Sequence, residues 1–593
     1  MGDKRENGIS KSAMRAVDEI SARVLSSKEI SGIGSMGTMR LLKGRFAKAM
    51  NYVGHIFSYS SSRSYGCFFL SFGLLTLFLN LGEYYFADVP VSVFRQLIFG
   101  ICMMAFSVPF LFSDKPLCIA FQNFKITDYL FFEFFSVKRM HTNYDCVTIP
   151  PIIAFVIGFI PAVLGFFLPL GYVALSLAVL IIVTVAFLSP EFLMVLSLLL
   201  LPYLSAFYAF KLVLALLSVI AFVSFMVKVA VGKRVFNLDA YSVLIFLWII
   251  ASVIRGISSP NPEALTDSFY FAAMLLGYFP AANLVVNRRL ADRAMKAVIV
   301  SAVPVAILAI IKFIVEISGT RYTTPGISVS FLSPEALSTY LFVAALLTMA
   351  FSLEKKNKAK KTAYFIIFLV DVFVVFLTLE PIAWLSVIIT VPTYFILTSK
   401  KIPRDIVFLM FAAVHFLFLL PPALFDTLYK AIGLTHTFSD KLASLQAAVG
   451  VFSDNLLWGL GAGGVNIIQN PALSSGVNLV LGIGMEFGIF ILVAFAFMIA
   501  LRLRQLSHYE RLYPNSLVSD AIHMTSLATL CMLFFGLGNY IFSDSTLTYL
   551  FFAIFGFSSA ALRTAKKEHE DRFGYYRDAR SVDSSAIDVA IKD

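Results

Sequence analysis

Apolar residues along the chain fall in runs of about 20, long enough at ~1.5 Å per residue to cross a bilayer core as helix. In hydrocarbon every backbone polar group must pair internally. Unbroken runs therefore predict helices, where a barrel would show ten-residue alternation. Roughly sixteen such runs can be drawn, at 66–86, 93–112, 150–168, 170–188, 190–206, 208–230, 239–257, 268–287, 296–317, 334–353, 362–379, 382–398, 404–420, 476–501, 520–538 and 546–562. Pro161, Pro169, Pro190 and Pro202 crowd the third to fifth runs. The expected fold is all-α: a polytopic integral membrane protein with about 14–16 transmembrane helices and one long extracytoplasmic loop.

The polar stretches between runs set the expected topology. Residues 1–65 carry eleven Lys/Arg against five Asp/Glu, with Met14, Val17, Ile20 and Val24 at helical spacing. They read as a cytoplasmic segment, either an amphipathic helix on an anionic leaflet or a loosely ordered tail. Residues 113–149 read as an interfacial helix on the same side. Alternate loops are basic, as at Lys228/Lys233/Arg234, Arg288/Arg289/Arg293, Lys355 to Lys361, Lys400/Lys401/Arg404 and Arg502/Arg504/Arg511. The intervening loops 257–267, 318–333 and 539–545 hold one basic residue, Arg321. The positive-inside rule thus predicts a plasma-membrane protein with both termini in the cytoplasm and loop 421–475 outside. Four regions follow: the leader 1–65, N-terminal helices over 66–230, a second helical region over 231–562, and a charged cytoplasmic tail over 563–593.

Composition agrees. Of 593 residues, 59% are hydrophobic and 14% charged, and the mean hydropathy is +0.84. A net charge of +11 by itself suits nucleic acid, but the cations sit in short clusters between apolar runs, so no nucleic-acid partner is expected. The five cysteines show no metal-ligand or CxxC spacing.

An ionisable side chain at membrane depth is costly and therefore a functional candidate. Lys211 and Arg95 lie near run ends, where snorkelling explains them. Lys312 and Glu316, at i and i+4, are expected to pair. Asp371 lies mid-run, where it reads either as an interhelical hydrogen-bonding group, the favoured reading, or as the mark of an ion path. His415, among Phe and Leu, reads as a core histidine. Arg255 and Arg321 fall at the predicted outer surface, where a guanidinium suits a diphosphate.

The loop from Pro421 to Phe490 is the one long polar interruption. It contains His436, Asp440 and Lys441, then an apolar stripe at Phe438, Leu442, Leu445, Val449 and Phe452 behind the capping pattern Thr437-x-x-Asp440. His436 is a candidate base. Gly459, Gly461 and Gly464 match G-x-G-x-x-G, but no strand precedes them and no βαβ unit surrounds them, so they are not a dinucleotide site.

Asp440-Lys441-Leu442 leading to Phe452-Ser453-Asp454-Asn455-Leu456-Leu457-Trp458-Gly459-Leu460-Gly461 resembles the loop of the O-antigen ligase and polymerase superfamily. Asn478, Glu486-Phe487-Gly488-Ile489 and, upstream, Arg321-Tyr322 with Phe331 to Ala336 match further pieces in order. The resemblance implies transfer of glycan from an undecaprenyl-diphosphate-linked oligosaccharide donor to a glycan or glycolipid acceptor on the outer face, without metal or nucleotide cofactor. It places Arg321, Arg255, Lys441 and Asn478 at substrate. Where the family has His-Asn this chain has Val477-Asn478, and where it has Ser-Arg this chain has Leu379-Glu380. His436, Asp440 and Glu380 are the candidate catalytic substitutes. Two other functions fit the same pattern of runs: a lipid-linked oligosaccharide flippase or other secondary transporter, and a non-catalytic scaffold binding other glycan-assembly proteins in membrane lipid.

Overall fold

The computed structural model describes residues 59–86, 91–135, 148–167, 189–206, 210–230, 236–259, 262–284, 288–318, 332–354, 358–378, 382–386, 438–464, 477–512 and 519–566, with some isolated positions between. Helix dominates them, and no β-strand is formed among them. Seven helices within these residues are long and apolar enough to cross a membrane, and four shorter ones are apolar. The expected runs at 170–188, 382–398 and 404–420 lie wholly or mostly outside the described residues. The molecule divides into two units, one centred on residues 23–193 and the other on 236–593.

In the first unit, α1 (Ser62–Phe86) packs against α2 (Val91–Leu111) and against the later helix Pro151–Phe167. Small residues let these backbones approach. A Cβ on Gly158 would stand 1.9 Å from Ser71 Oγ, and one on Gly73 would stand 2.7 Å from the Gly100 carbonyl. Between α2 and Pro151–Phe167, the expected interfacial helix is instead α3 (Leu117–Asn123) followed by a π-helical turn, Asp128–Phe134. Phe124, Ile126 and Tyr129 are exposed there. The helix at Pro151–Phe167 is α4.

Helices α5 (Pro190–Leu204) and α6 (Phe210–Ala230) each have residues assigned to both units. The second unit then contains α7 (Ala240–Ser258), α8 (Pro262–Leu276), α9 (Tyr278–Leu284), α10 (Arg288–Ser318), α11 (Pro334–Glu354) and α12 (Lys358–Leu377). It is completed by α13 (Phe438–Asp454), α14 (Leu479–Leu512), α15 (Ser519–Gly536) and α16 (Ser545–Lys566). Asp239 starts α7 with a capping box, its carboxylate accepting the Ser242 amide at 2.8 Å. The run expected at 268–287 is broken at Gly277, where the Tyr549 ring presses so close that a Cβ would come within 2.7 Å. Helices α11 and α16 are buried almost throughout, while α7 and α10 show apolar side chains on their outer faces. At the centre of the core Trp248 is ringed by Phe271, Phe487, Phe495, Phe542 and Phe552, with centroids 5.5–5.8 Å away.

On α13 the stripe is half-buried at Leu445 and Phe452 and exposed at Val449, and Ser444 and Ala448 are fully buried beside it. One local expectation is corrected. Among the described residues Asp371 of α12 makes no interhelical hydrogen bond: both carboxylate oxygens are buried without a donor.

Candidate functional site

The glycine cluster and α14 are stitched together by an exchange of hydrogen bonds. Gly488 has φ 78° and ψ 179°, which breaks the helical path in mid-span. In an unbroken helix the Met485 and Glu486 carbonyls would accept from Ile489 and Phe490. Here Leu460 N–H donates to Met485 O and Gly461 N–H to Glu486 O, both at 2.8 Å, and Ile489 N–H donates to Leu456 O at 2.8 Å. Non-helical backbone near hydrocarbon survives only when its polar groups are satisfied this way.

The turn needs glycine at the crossing points. Gly459 has φ 68°, and a Cβ there would stand 2.4 Å from the Glu486 carbonyl carbon and oxygen. Gly461 and Gly463 are also left-handed, at φ 98° and 75°.

Those glycines bring the turn against the last turn of α7 and the first turns of α8. A Cβ on Gly461 would lie 3.6 Å from Arg255 Cγ and 3.7 Å from Ser268 Oγ. One on Gly463 would meet Asp267 Oδ2 at 2.5 Å. Asp267 in turn accepts from Lys211 Nζ of α6 at 2.9 Å, a half-exposed ion pair. Arg255 is half-buried, its Nε is buried without an acceptor, and no carboxylate among the described residues pairs with it. The result is a guanidinium with unspent donors beside a rigid glycine turn.

Asp544 is within electrostatic range of the Lys211 ammonium. It caps α16, accepting from Thr546 N–H at 2.8 Å and Leu547 N–H at 3.0 Å. Burial pushes its carboxyl up, against the pull of those amides and of the Lys211 ammonium. Behind the turn, Tyr540 Oη donates to Glu486 Oε2 at 2.5 Å, and both side chains are buried. Burial, and next the Glu486 carboxylate, push the Tyr540 hydroxyl up, so it stays a donor.

The sequence-predicted residues are therefore only partly brought together. Arg255 enters the patch. Asn478 acts as a helix cap, its Oδ1 accepting from Leu481 N–H at 2.8 Å, and its neighbour Val477 is buried core. Glu380 is half-buried past the end of α12, with its carbonyl accepting from Trp384 N–H at 3.2 Å. Asp440 and Lys441 lie in the first turn of α13, but their side chains, like Glu316 and Arg95, are outside the described residues. His436, Arg321 and His415 lie wholly outside them.

Sequence reasoning missed Asp267, Asp544 and the Glu486–Tyr540 pair. It also treated Lys211 as a snorkelling end rather than as the partner of Asp267. The available signal was that Lys211, Arg255, Asp267 and Asp544 all sit at run ends on one predicted side. No protein-family model matches the chain, and no curated protein is significantly similar to it.

Proposed function

We propose that this multi-pass protein is a membrane glycan ligase or polymerase, taking its donor as an undecaprenyl-diphosphate-linked oligosaccharide on the outer face. The observation that carries the reading is Arg255, half-buried at a helix end beside the glycine turn, with an unpartnered Nε and no opposing carboxylate among the described residues. A fork of permanently charged donors at that level suits a diphosphate in the headgroup layer. Arg321 and Lys441 would supply further positive charge, and Asn478 would hold the start of α14 beside the acceptor.

In this reaction the acceptor hydroxyl oxygen bonds to the anomeric carbon as the bond to the diphosphate oxygen breaks. The hydroxyl proton passes to a carboxylate or imidazole, with His436, Asp440 and Glu380 the candidates, and undecaprenyl diphosphate leaves carrying the bonding electron pair. The arginine charge offsets the negative charge growing on the leaving diphosphate. No metal or nucleotide is required by this scheme.

The test is purified protein in proteoliposomes with a lipid-diphosphate oligosaccharide and a glycan acceptor. Wild type is expected to yield ligated or lengthened product. Arg321→Ala and Arg255→Ala are each expected to lose about 10²-fold or more of that rate while melting like wild type. Unchanged product in both variants would sink the assignment.

A second reading, a lipid-linked oligosaccharide flippase or other secondary carrier, is favoured by the buried carboxylate of Asp371. Leaflet exchange of a labelled donor without new product would select it. Burial of Val477 where a catalytic histidine is expected favours a scaffold, which would show neither activity.

A further inference from the structure

Asp371 lies ten residues beyond Lys361, about 15 Å along α12. Its side chain is fully buried, and among the described residues neither Oδ1 nor Oδ2 has a hydrogen-bond donor. The helices packed on α12 are α10 and α11. From α11, Tyr340 is close enough for its hydroxyl and the Asp371 carboxyl to interact electrostatically. The Tyr340 hydroxyl is hydrogen-bonded to Ser301 Oγ of α10, whose carbonyl accepts from Tyr203 Oη at 2.8 Å. On α10, Lys296 Nζ lies 5.6 Å from the centroid of the Phe351 ring. No cation among the described residues forms an ion pair with Asp371.

An ionised carboxylate in that position would lose its hydration and gain neither a hydrogen bond nor a counter-charge. A neutral acid loses far less. The segment after α12 repeats the theme: Trp384 Nε1 and Thr390 Oγ1 are also buried without partners. Polar groups left unsatisfied in one stretch mark a place where the protein trades packing energy for something else.

We propose that Asp371 is an intramembrane proton-binding site. Its carboxyl takes up one proton to become neutral in the closed bundle and gives it back to water when α10–α12 open. This holds whether the chain transfers glycan or carries it, because the site is separate from the Arg255 patch.

The experiment uses the full chain in lipid nanodiscs and an apolar carbodiimide, dicyclohexylcarbodiimide. That reagent accepts the proton of a neutral carboxyl in an apolar site and is then attacked by the carboxylate, leaving a stable N-acylurea. Mass mapping should find the adduct on the peptide containing Asp371. Its yield should fall as pH rises and the proton is lost. A water-soluble carbodiimide should label that position poorly.

Asp371→Asn should abolish the adduct and keep the fold, since it preserves shape and neutrality. The native chain would hold one more proton there than the unfolded chain, so wild-type stability should fall relative to Asp371→Asn as pH rises. A folded wild type that gives no adduct at Asp371 overturns the proposal. So does a yield that ignores pH, or one that sodium suppresses at constant pH, which would make the ligand a metal cation.

Discussion

Two arginines of the second unit meet burial in opposite ways. Arg502 of α14 is almost fully buried, its guanidinium carbon 4.2 Å over the Tyr241 ring and 4.3 Å over the Phe555 ring. Its Nη2 donates to Ser559 Oγ. Ser559 is hydrogen-bonded to Tyr278, which donates to Asp239 at 3.1 Å, and Asp239 pairs with Arg563 at 3.6 Å. Among the described residues, Arg255 at the other predicted end has neither a ring nor a carboxylate. Both arginines keep a buried Nε without an acceptor. A guanidinium cannot shed its charge, so a fold that buries one must find another way to hold it. At Arg502 two aromatic faces and a hydroxyl chain tie α7, α14 and α16 together. At Arg255 the charge is left unspent, which is the expected difference between a fastener and a binding group.

Removing Arg502 should break the comparison most visibly. Arg502→Ala deletes the stacked cation and opens a void among Tyr241, Phe555 and Ser559, for an expected loss of about 3 kcal/mol or more. Arg502→Met keeps most of the packing and should recover part of it. Thermal unfolding in a fixed detergent reads both. An Arg502→Ala chain that melts like wild type would remove the distinction.

The glycine turn comes next in size. Gly459→Ala places a methyl group against the Glu486 backbone and forces an L-residue to positive φ, for an expected local cost of about 2 kcal/mol. The amides of Leu460 and Gly461 should then exchange hydrogen faster, because their acceptors on Met485 and Glu486 are lost. Arg255 should lose its neighbour, and donor binding should weaken while the global melt moves little. Unchanged exchange at both amides would show that the turn does not depend on that glycine.

The helices were legible in the sequence because hydrocarbon leaves the backbone so few options. Long apolar runs, basic clusters between them and the Asp239 cap can each be read from residue types alone. Partnerships were not legible. Asp371 reads as a group that must find a donor, and only the packing of α10–α12 shows that it has none. The break at Gly488 was hidden because glycine is common in membrane helices, and its positive φ exists only where the Trp458–Gly464 turn supplies alternative donors. At the candidate site the cations were visible, and the choice that leaves Arg255 unpaired while Lys211 takes Asp267 was not.

That choice yields the smallest stability effect and the most specific functional one. The Lys211–Asp267 pair is half-exposed, so it contributes only about 0–1 kcal/mol, and Lys211→Met should barely shift the melt. Asp267 and Arg255 lie on either side of the glycine turn, at Gly463 and Gly461. Once released from Lys211, the Asp267 carboxylate is free to turn toward the nearest guanidinium and compete with an anionic donor. Lys211→Met should therefore raise the donor KM several-fold with little change in kcat, the mark of weakened binding. Asp267→Asn alone should leave KM near wild type or lower it, and the double variant should regain most of the loss. Strong non-additivity of this kind identifies Lys211 as the residue that keeps Asp267 off Arg255. Additive KM changes would instead make Lys211 a direct contact of the donor.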